Sequence, residues 1–513
     1  MNQIPMIKND NGIPTLYVKG EPFFALSGEI HNSSSSSLQY MEENVWPMLK
    51  ELHMNSVIVP LYWEAIEPEE GKFDFALLDG LILQARQQNM KLIFLWFGLW
   101  KNAESMYVPG WVKQDTKTYF LVKKVSGEKL STISPLCEAA VKKDANAFAE
   151  VMAHIKKTDE EESTVIVMQV ENEIGILGSE RDYGEMANAV FAAEIPAVLA
   201  EKCGKTGDWK TAFGKDAEEY FMAYHYANAV ETITAAGQKE YPLPCYVNAW
   251  LKQYPWYPGS YPSGGPVKGV HWIWKLAAPS LFTCAPDIYV PYVTDVFEEY
   301  SYEGNPLLIP EVRQDVLTAS YCMYAFGKYN AICYSPFGIE DLALPAEAEN
   351  RLSAEVLSYL NIASSAFDIT GSKEALSRTY ELIENMKPIY LKYRGTSHLQ
   401  SYCKKSDTDY GTFLSFEKYD LSIRYAPKIE AKPMAAGMVY ELEANKFLLV
   451  GFSSTLTFRP KAGENMKVDY IKLEEGNIVN GEWKQGRIMN GDEKRTLRLE
   501  GMPTCYLVEV YQY

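Results

Sequence analysis

The chain has 513 residues, 47% of them hydrophobic and 23% charged, and carries a formal net charge of −18. That length exceeds one ordinary core of about 100–150 residues and suits a single large α/β barrel with an appended domain. The acidic balance excludes nucleic acid as a natural partner and offers nothing to a membrane surface.

The opening stretch MNQIPMIKNDNG has no basic segment followed by an apolar core, so no secretory leader is expected. The longest apolar run, LIFLWFGLW at 92–100, is too short to cross a bilayer as a helix. Eight cysteines are scattered without a CxxC pair, several of them inside apolar segments, which fits a reduced, cytoplasmic setting. The six histidines show neither HxxxH nor HxH spacing, so no metal site is expected.

From residue 22 to about 340, short apolar β-rich segments recur: FFALSG (23–28), SVIVPLY (56–62), KLIFLWF (91–97), TVIVMQV (164–170), LPCYVNA (243–249), DIYVPY (287–292), PLLIPEV (306–312) and NAICYSP (330–336). Most are continuously apolar, the pattern of strands buried on both faces. Helical spacing fills the gaps. Leu38, Met41, Val45, Leu49 and Leu52 share a face after a serine run, in which Ser36 and Gln39 could form a capping box. Further helices are predicted through Val141–Ile155, Phe221–Ile233 and Val316–Phe326. Eight buried strands alternating with helices predict a (β/α)8 TIM barrel over 1–344.

Long insertions at 98–135 and 174–215 leave strands three and four at their C-terminal ends, the face where such barrels keep their active sites. They would narrow the mouth and favour short substrates. A helical connector is predicted over 345–396, with Leu352, Val356, Tyr359 and Leu360 on one face. From 397 to 513 the texture turns to alternation with Asn-Gly turn signals at 480–481 and 490–491, which predicts a β-sandwich. That domain offers an edge or face for self-association as a homo-oligomer, without fixing a number.

The segment QVENEIG (169–175) places Glu171, Asn172 and Glu173 at the tip of strand four, where an apolar strand has no structural use for acid. If the strand continues, Glu171 and Glu173 point the same way. A second acid, Glu311, ends strand seven in PLLIPEV. Tips four and seven face one another across an eight-membered ring. Opposed carboxyls about 5–5.5 Å apart are what retaining glycoside hydrolysis needs, and inverting enzymes need a wider gap for water.

Four segments resemble the family-35 β-galactosidases of the clan-A glycoside hydrolases: SGEIH (27–31), WEAIEPEEGKFDF (63–75), QVENEIG and PEV (310–312). The resemblance covers roughly 15–340, and the tail is weakly similar to the accessory region of a bacterial subgroup. It implies Glu173 as general acid/base, Glu311 as nucleophile, Asn172 as a ligand of the sugar 2-hydroxyl, and Tyr289 as the donor that holds Glu311 ionised. The chemistry then requires a raised pKa at Glu173. Trp63, in the matched motif, is expected to contact sugar, and Trp100, Trp250, Trp256, Trp272 and Trp274, at or after strands three and five, are further stacking candidates. Glu64, Lys101, Asn102 and Glu340 are candidate hydroxyl ligands, with Glu29 and His31 orienting the site. Two departures fall at the pocket for the cleaved sugar. WFGLWKNAES (96–105) lacks the family's Cys-Ala-Glu-Trp, and Trp63-Glu64 replaces Trp-Asn.

The expected activity is a retaining, exo-acting β-glycosidase on a small β-glycoside or oligosaccharide, with β-galactoside as the leading substrate and no cofactor. The alternatives are a clan-A glycosidase or transglycosylase for a glucoside, xyloside or amino sugar, and an inactive carbohydrate-binding barrel.

Overall fold

A computed structural model describes residues 4–345, 353–461 and 466–513. Eight parallel strands run through its first part: β1 (Ala25–Leu26), β2 (Ser56–Tyr62), β3 (Lys91–Lys101), β4 (Val165–Asn172), β5 (Cys245–Trp250), β6 (Leu281–Ile288), β7 (Leu308–Val312) and β8 (Cys333–Pro336). They pair in the order β1-β8-β7-β6-β5-β4-β3-β2. The ring closes at Glu29, which bridges in parallel to Ile58 on one side and Phe337 on the other. Ile58 N–H donates to Gly28 O at 2.9 Å across that seam. The expected (β/α)8 barrel is therefore present.

The strands are apolar on both faces because both are covered. Ile58, Ile93, Leu95, Ile166, Tyr246 and Leu308 belong to one cluster, the packed interior. Leu16 and Val18 join that cluster from a three-stranded antiparallel sheet (Met6–Asp10, Ile13–Val18, Glu21–Phe23), which plugs the N-terminal end. This sheet corrects the first predicted strand. FFALSG is divided, with Phe23 in the plug and only Ala25–Leu26 in the barrel. Strand six is also displaced. It occupies LFTCAPDI, ending at Ile288, because the polar Thr283 and Pro286 mask a strand that is nonetheless almost wholly buried.

Outside, the predicted helices appear at Glu138–Asp159, Ala217–Glu240 and Thr318–Tyr329. The helix after the serine run is capped by Ser37, whose side chain accepts from Tyr40 N–H, rather than by Ser36. It widens to a π turn over Met41–Val45, and Gln39 reaches Glu43 instead of closing a capping box.

Beyond the barrel come a short helix (Ala354–Tyr359), a 3-10 turn (Ser364–Phe367) and a long helix (Ser372–Tyr393). Of the predicted connector face, Leu352 lies outside the described residues. Two antiparallel sheets follow, one of six strands and one of four, with Leu421, Val439, Phe447, Leu449, Phe458 and Val508 in the core between them. The Asn480-Gly481 turn joins strands Val468–Val479 and Glu482–Ile488, as its hairpin signal predicts. Ser320 on the helix before β8 donates to Met434 O at 2.8 Å, tying barrel to sandwich. All eight cysteines are free. No helix among the described residues is long and apolar enough to cross a membrane.

Candidate active site

The C-terminal mouth of the barrel holds a cavity of about 610 Å³. Glu173 enters it just past β4, and Glu311 enters it from β7. Asp287, near the end of β6, is the third acid. One carboxylate oxygen from each of the three lies within 4.8 Å of the others.

The tip of β4 does not continue as a plain strand. Glu171 and Glu173 both adopt left-handed backbone, at φ +64° and +45°. Non-glycine residues take that conformation at a cost, and such strain gathers at functional sites. Its effect is to separate the two glutamates. Glu173 faces the cavity, and Glu171 is buried away from it. Glu171 Oε1 accepts from Leu99 N–H (3.0 Å) and Oε2 from Trp100 N–H (2.6 Å). The expectation that the two point the same way is thus corrected. Asp144, on the helix Glu138–Asp159 that precedes β4, accepts from Leu99 N–H and Trp96 Nε1–H. Burial and the neighbouring Asp144 hold Glu171 well above the ordinary carboxyl range. Gly98 lets both acids reach this backbone, since a Cβ there would meet Asp144 Oδ2 at 2.5 Å and Glu171 Oε1 at 2.6 Å.

Glu311 is surrounded by donors. Tyr289 Oη donates to Oε2 at 2.7 Å, and Asn172 Nδ2 and Asn248 Nδ2 donate to Oε1 at 3.1 and 3.4 Å. Lys101 Nζ donates to Asn172 Oδ1 (2.8 Å), fixing the amide so that its NH2 faces Glu311. Asn248 also donates to Asp287 Oδ2 (2.7 Å) and accepts from Glu173 N–H (2.9 Å). One asparagine on β5 therefore positions all three acids.

The electrostatics separate the acids by environment. Burial first, then repulsion from Glu311, push Glu173 up to about 8, against the pull of Lys101 and a hydrogen bond from Asp287. Burial and the charges of Glu311 and Glu173 hold Asp287 well above its ordinary value. Glu29 lies beneath them at the barrel seam, fully buried, and neither carboxyl oxygen has a hydrogen-bond partner among the described residues. Burial, reinforced by Glu311, raises it strongly. The Glu173–Asp287–Glu311 trio could in principle meet a cation.

The other candidates divide. Asn102 lines the cavity with a left-handed backbone, its buried Oδ1 unpaired among the described residues. Tyr289 lies just past β6 rather than within it. Trp63, Trp100 and Trp274 are fully buried outside the cavity, and each indole N–H is already used: by Glu67 Oε2 (2.9 Å), Ile133 O (2.9 Å) and Gly264 O (3.1 Å). They are core residues, which corrects their assignment as sugar platforms. Glu64 is directed outward to Lys113 (3.0 Å). Glu340 is buried beside the mouth, where Oε1 accepts from His31 N–H (3.0 Å) and Ser34 Oγ–H (2.8 Å). It shapes the 31–34 loop and does not line the cavity. His31 Nε2 meets Asp341 Oδ2 at 2.8 Å.

Trp250, one of the stacking candidates in the sequence, lines the cavity from β5. Residues that sequence reasoning missed complete the wall. Val356, Leu360, Ile362 and Phe367 of the connector close one side, where Phe367 stacks on Tyr289 with ring centres 5.5 Å apart. Gln314 and Asp315 N–H groups both donate to Ala366 O, anchoring this segment to the barrel.

Residues 15–254 match the family model described as glycosyl hydrolases family 35. The chain resembles glycosyl hydrolases family 35. The family-35 match takes in β1 to β5 with Asn172, Glu173 and Asn248, and stops short of Glu311. A second model, described as a domain of unknown function (DUF5597), matches residues 376–499. No curated protein matches the sequence. Among solved structures, a β-galactosidase from Bacillus circulans sp. alkalophilus aligns at 13% identity and TM-score 0.45, over 61% of this chain and 50% of that one. A β-galactosidase from Rahnella sp. R3 aligns at 14% identity and TM-score 0.46, over 72% and 57%. A family 39 glycoside hydrolase from Bacteroides cellulosilyticus WH2 aligns at 11% identity and TM-score 0.44, over 97% and 86%. The chain thus spans about half the length of the first of these β-galactosidases.

Proposed function

We propose that this protein is a retaining β-glycosidase that removes a terminal β-linked sugar, with galactose as the leading candidate. Glu311 is the nucleophile, and Glu173 is the general acid/base. The supporting observation is the spacing and asymmetry of the pair. Their nearest oxygens lie within 4.8 Å, closer than the roughly 6.5–9.5 Å of inverting enzymes. One acid is held protonated near neutrality, and the other is wrapped in donors.

The chemistry follows from these positions. Glu311 attacks the anomeric carbon while Glu173 gives its proton to the departing oxygen, so the glycosidic bond breaks as a glycosyl ester forms. Esterification removes the Glu311 charge, and with it one cause of the raised pKa at Glu173. Glu173, left ionised by that transfer, takes a proton from water, which attacks the same carbon and frees the sugar with its configuration kept and Glu173 protonated again. Asn172, locked by Lys101, presents its amide beside Glu311 where the sugar 2-hydroxyl would lie. The resemblance to the family-35 β-galactosidases supports galactose as the leading candidate.

The test is initial rates on aryl β-galactoside, glucoside, xyloside and N-acetylglucosaminide, wild type beside Glu311→Gln, with the first-formed anomer followed by NMR. Turnover of one sugar, a dead variant and β-anomer released first support the reading. α-Anomer released first, or an active Glu311→Gln, would overturn it.

A further inference from the structure

Beside the catalytic cavity lies a second one of about 520 Å³, within the range of small-ligand sites. The two share Glu104, Trp250, Gln253 and Asn361, so they form one continuous groove. The second cavity lies on the Glu173 flank. Ala103, in its wall, donates from N–H to Glu173 O at 3.0 Å, and Leu177 and Gly178, also in its wall, follow Glu173 in the chain. Glu173 and Glu311 both line the first cavity alone, with Tyr289, Phe337 and Phe367 on the side away from the second.

Resting on the proposed glycosidase reading, we infer that this second cavity binds the leaving-group end of a β-linked oligosaccharide. The acid that protonates the leaving oxygen marks the side from which the leaving group departs, and the groove runs off on that side. Its chemistry suits sugar. Glu104, Gln253 and Asn361 offer donors and acceptors at the junction, and Tyr254, 73% exposed, stands in the wall of the second cavity. Trp256 and Tyr257 follow in the same loop, 53% and 55% exposed. Three large aromatics in four residues, presented to water, are a recurrent mark of a binding surface. Rings of this kind stack on the apolar faces of sugars. Trp256 also holds a left-handed backbone, φ +71°, a costly conformation for so bulky a residue and one that collects at binding sites. Residues of both insertions, Ala103 and Glu104 from the first and Leu177 and Gly178 from the second, build this extension, so chains longer than a disaccharide are the better substrates, against the sequence expectation of short ones.

The experiment uses the full chain with 4-nitrophenyl β-galactoside, β-1,4-galactobiose and β-1,4-galactotetraose. The expected result is a kcat/KM for the tetraose about tenfold or more above that for the biose, equivalent to about 1.4 kcal/mol. Tyr254→Ala and Trp256→Ala should each shrink that ratio, while their thermal midpoints stay at the wild-type value because both side chains are on the surface. A ratio near unity in the wild type, or one unmoved by both substitutions, would overturn the inference. Calorimetric titration of galactotetraose into Glu173→Gln, with and without Tyr254→Ala, separates the two readings. If no aryl glycoside is turned over, the glycosidase reading falls. Tetraose binding that weakens with Tyr254→Ala would still support the groove, and absent or unchanged binding would overturn it.

Discussion

The phenol of Tyr289 donates to Glu311 Oε2 at 2.7 Å, and the same ring is stacked on Phe367, a residue beyond the barrel. The orientation of Glu311, the proposed nucleophile, is therefore set partly by the connector. This arrangement makes Tyr289 a sensitive point. Burial and the adjacent Glu311 hold its phenol well above the ordinary tyrosine range, so it stays a donor across the working pH range.

Tyr289→Phe keeps the ring and removes the donor. A hydrogen bond to a charged group contributes roughly 1.5–3 kcal/mol, so kcat/KM on the best aryl glycoside should fall about 10- to 100-fold. The thermal midpoint should move little, because the stack on Phe367 survives. Steady-state kinetics beside thermal unfolding would check this, and an unchanged kcat/KM would remove Tyr289 from the machinery.

In the proposed mechanism Glu173 must carry its proton to act as acid, and burial and Glu311 push its pKa up to about 8. The pH profile of kcat/KM should therefore fall on the basic side around that value rather than near the ordinary glutamate range. Repulsion from Glu311 is one cause of the shift, so neutralising Glu311 should lower the Glu173 pKa. Carboxyl titration followed by infrared difference spectroscopy in Glu311→Gln should show a downward move, and an upward move would contradict the assignment.

Which parts of this site could be read from sequence depends on how each residue contrasts with its surroundings. Glu173 and Glu311 stand out because acids end otherwise apolar strands, and eight such strands in rhythm give the barrel. Asn248 does not stand out, since one amide within CYVNAW resembles any strand polar residue, yet it touches Glu173, Asp287 and Glu311. Asp287 was hidden by the misplaced sixth strand, which read it as a strand start when it lies near a strand end. Tryptophans mislead for the opposite reason. Their rings suit both sugar stacking and barrel packing, and only the observed partners of Trp63, Trp100 and Trp274 show that they belong to the core. The left-handed turns at Glu171 and Glu173 have no sequence signature, so the separation of these two acids could only be seen in three dimensions.

Glu171 tests that separation. Its carboxyl is the acceptor for the Leu99 and Trp100 amides, in a buried bend of β3. Glu171→Ala would orphan buried donors and destabilise the fold by about 2–4 kcal/mol. Glu171→Gln retains one acceptor oxygen and should be much milder. Chemical denaturation of both variants would check the order, and equal stability of Ala and wild type would mean that the bend is held by other bonds.

Glu29 gives a prediction whose sign can be worked through. Its folded pKa is held well above the ordinary value by burial and by Glu311, and no hydrogen bond offsets this among the described residues. Between the unfolded and folded pKa values the native state holds one more proton than the unfolded chain, so stability falls as pH rises, by about 1.4 kcal/mol per pH unit for this one group. Glu29→Gln has no proton to lose and keeps nearly the same shape. Its stability advantage over wild type should therefore be small near the ordinary carboxyl pKa and widen as pH climbs. Thermal midpoints of the two proteins, measured from about pH 5 to about pH 9, should diverge steadily toward the alkaline end. Parallel curves would mean that Glu29 is already ionised in the folded protein, and that Lys101, the one cation lowering its pKa, is enough to stabilise its charge.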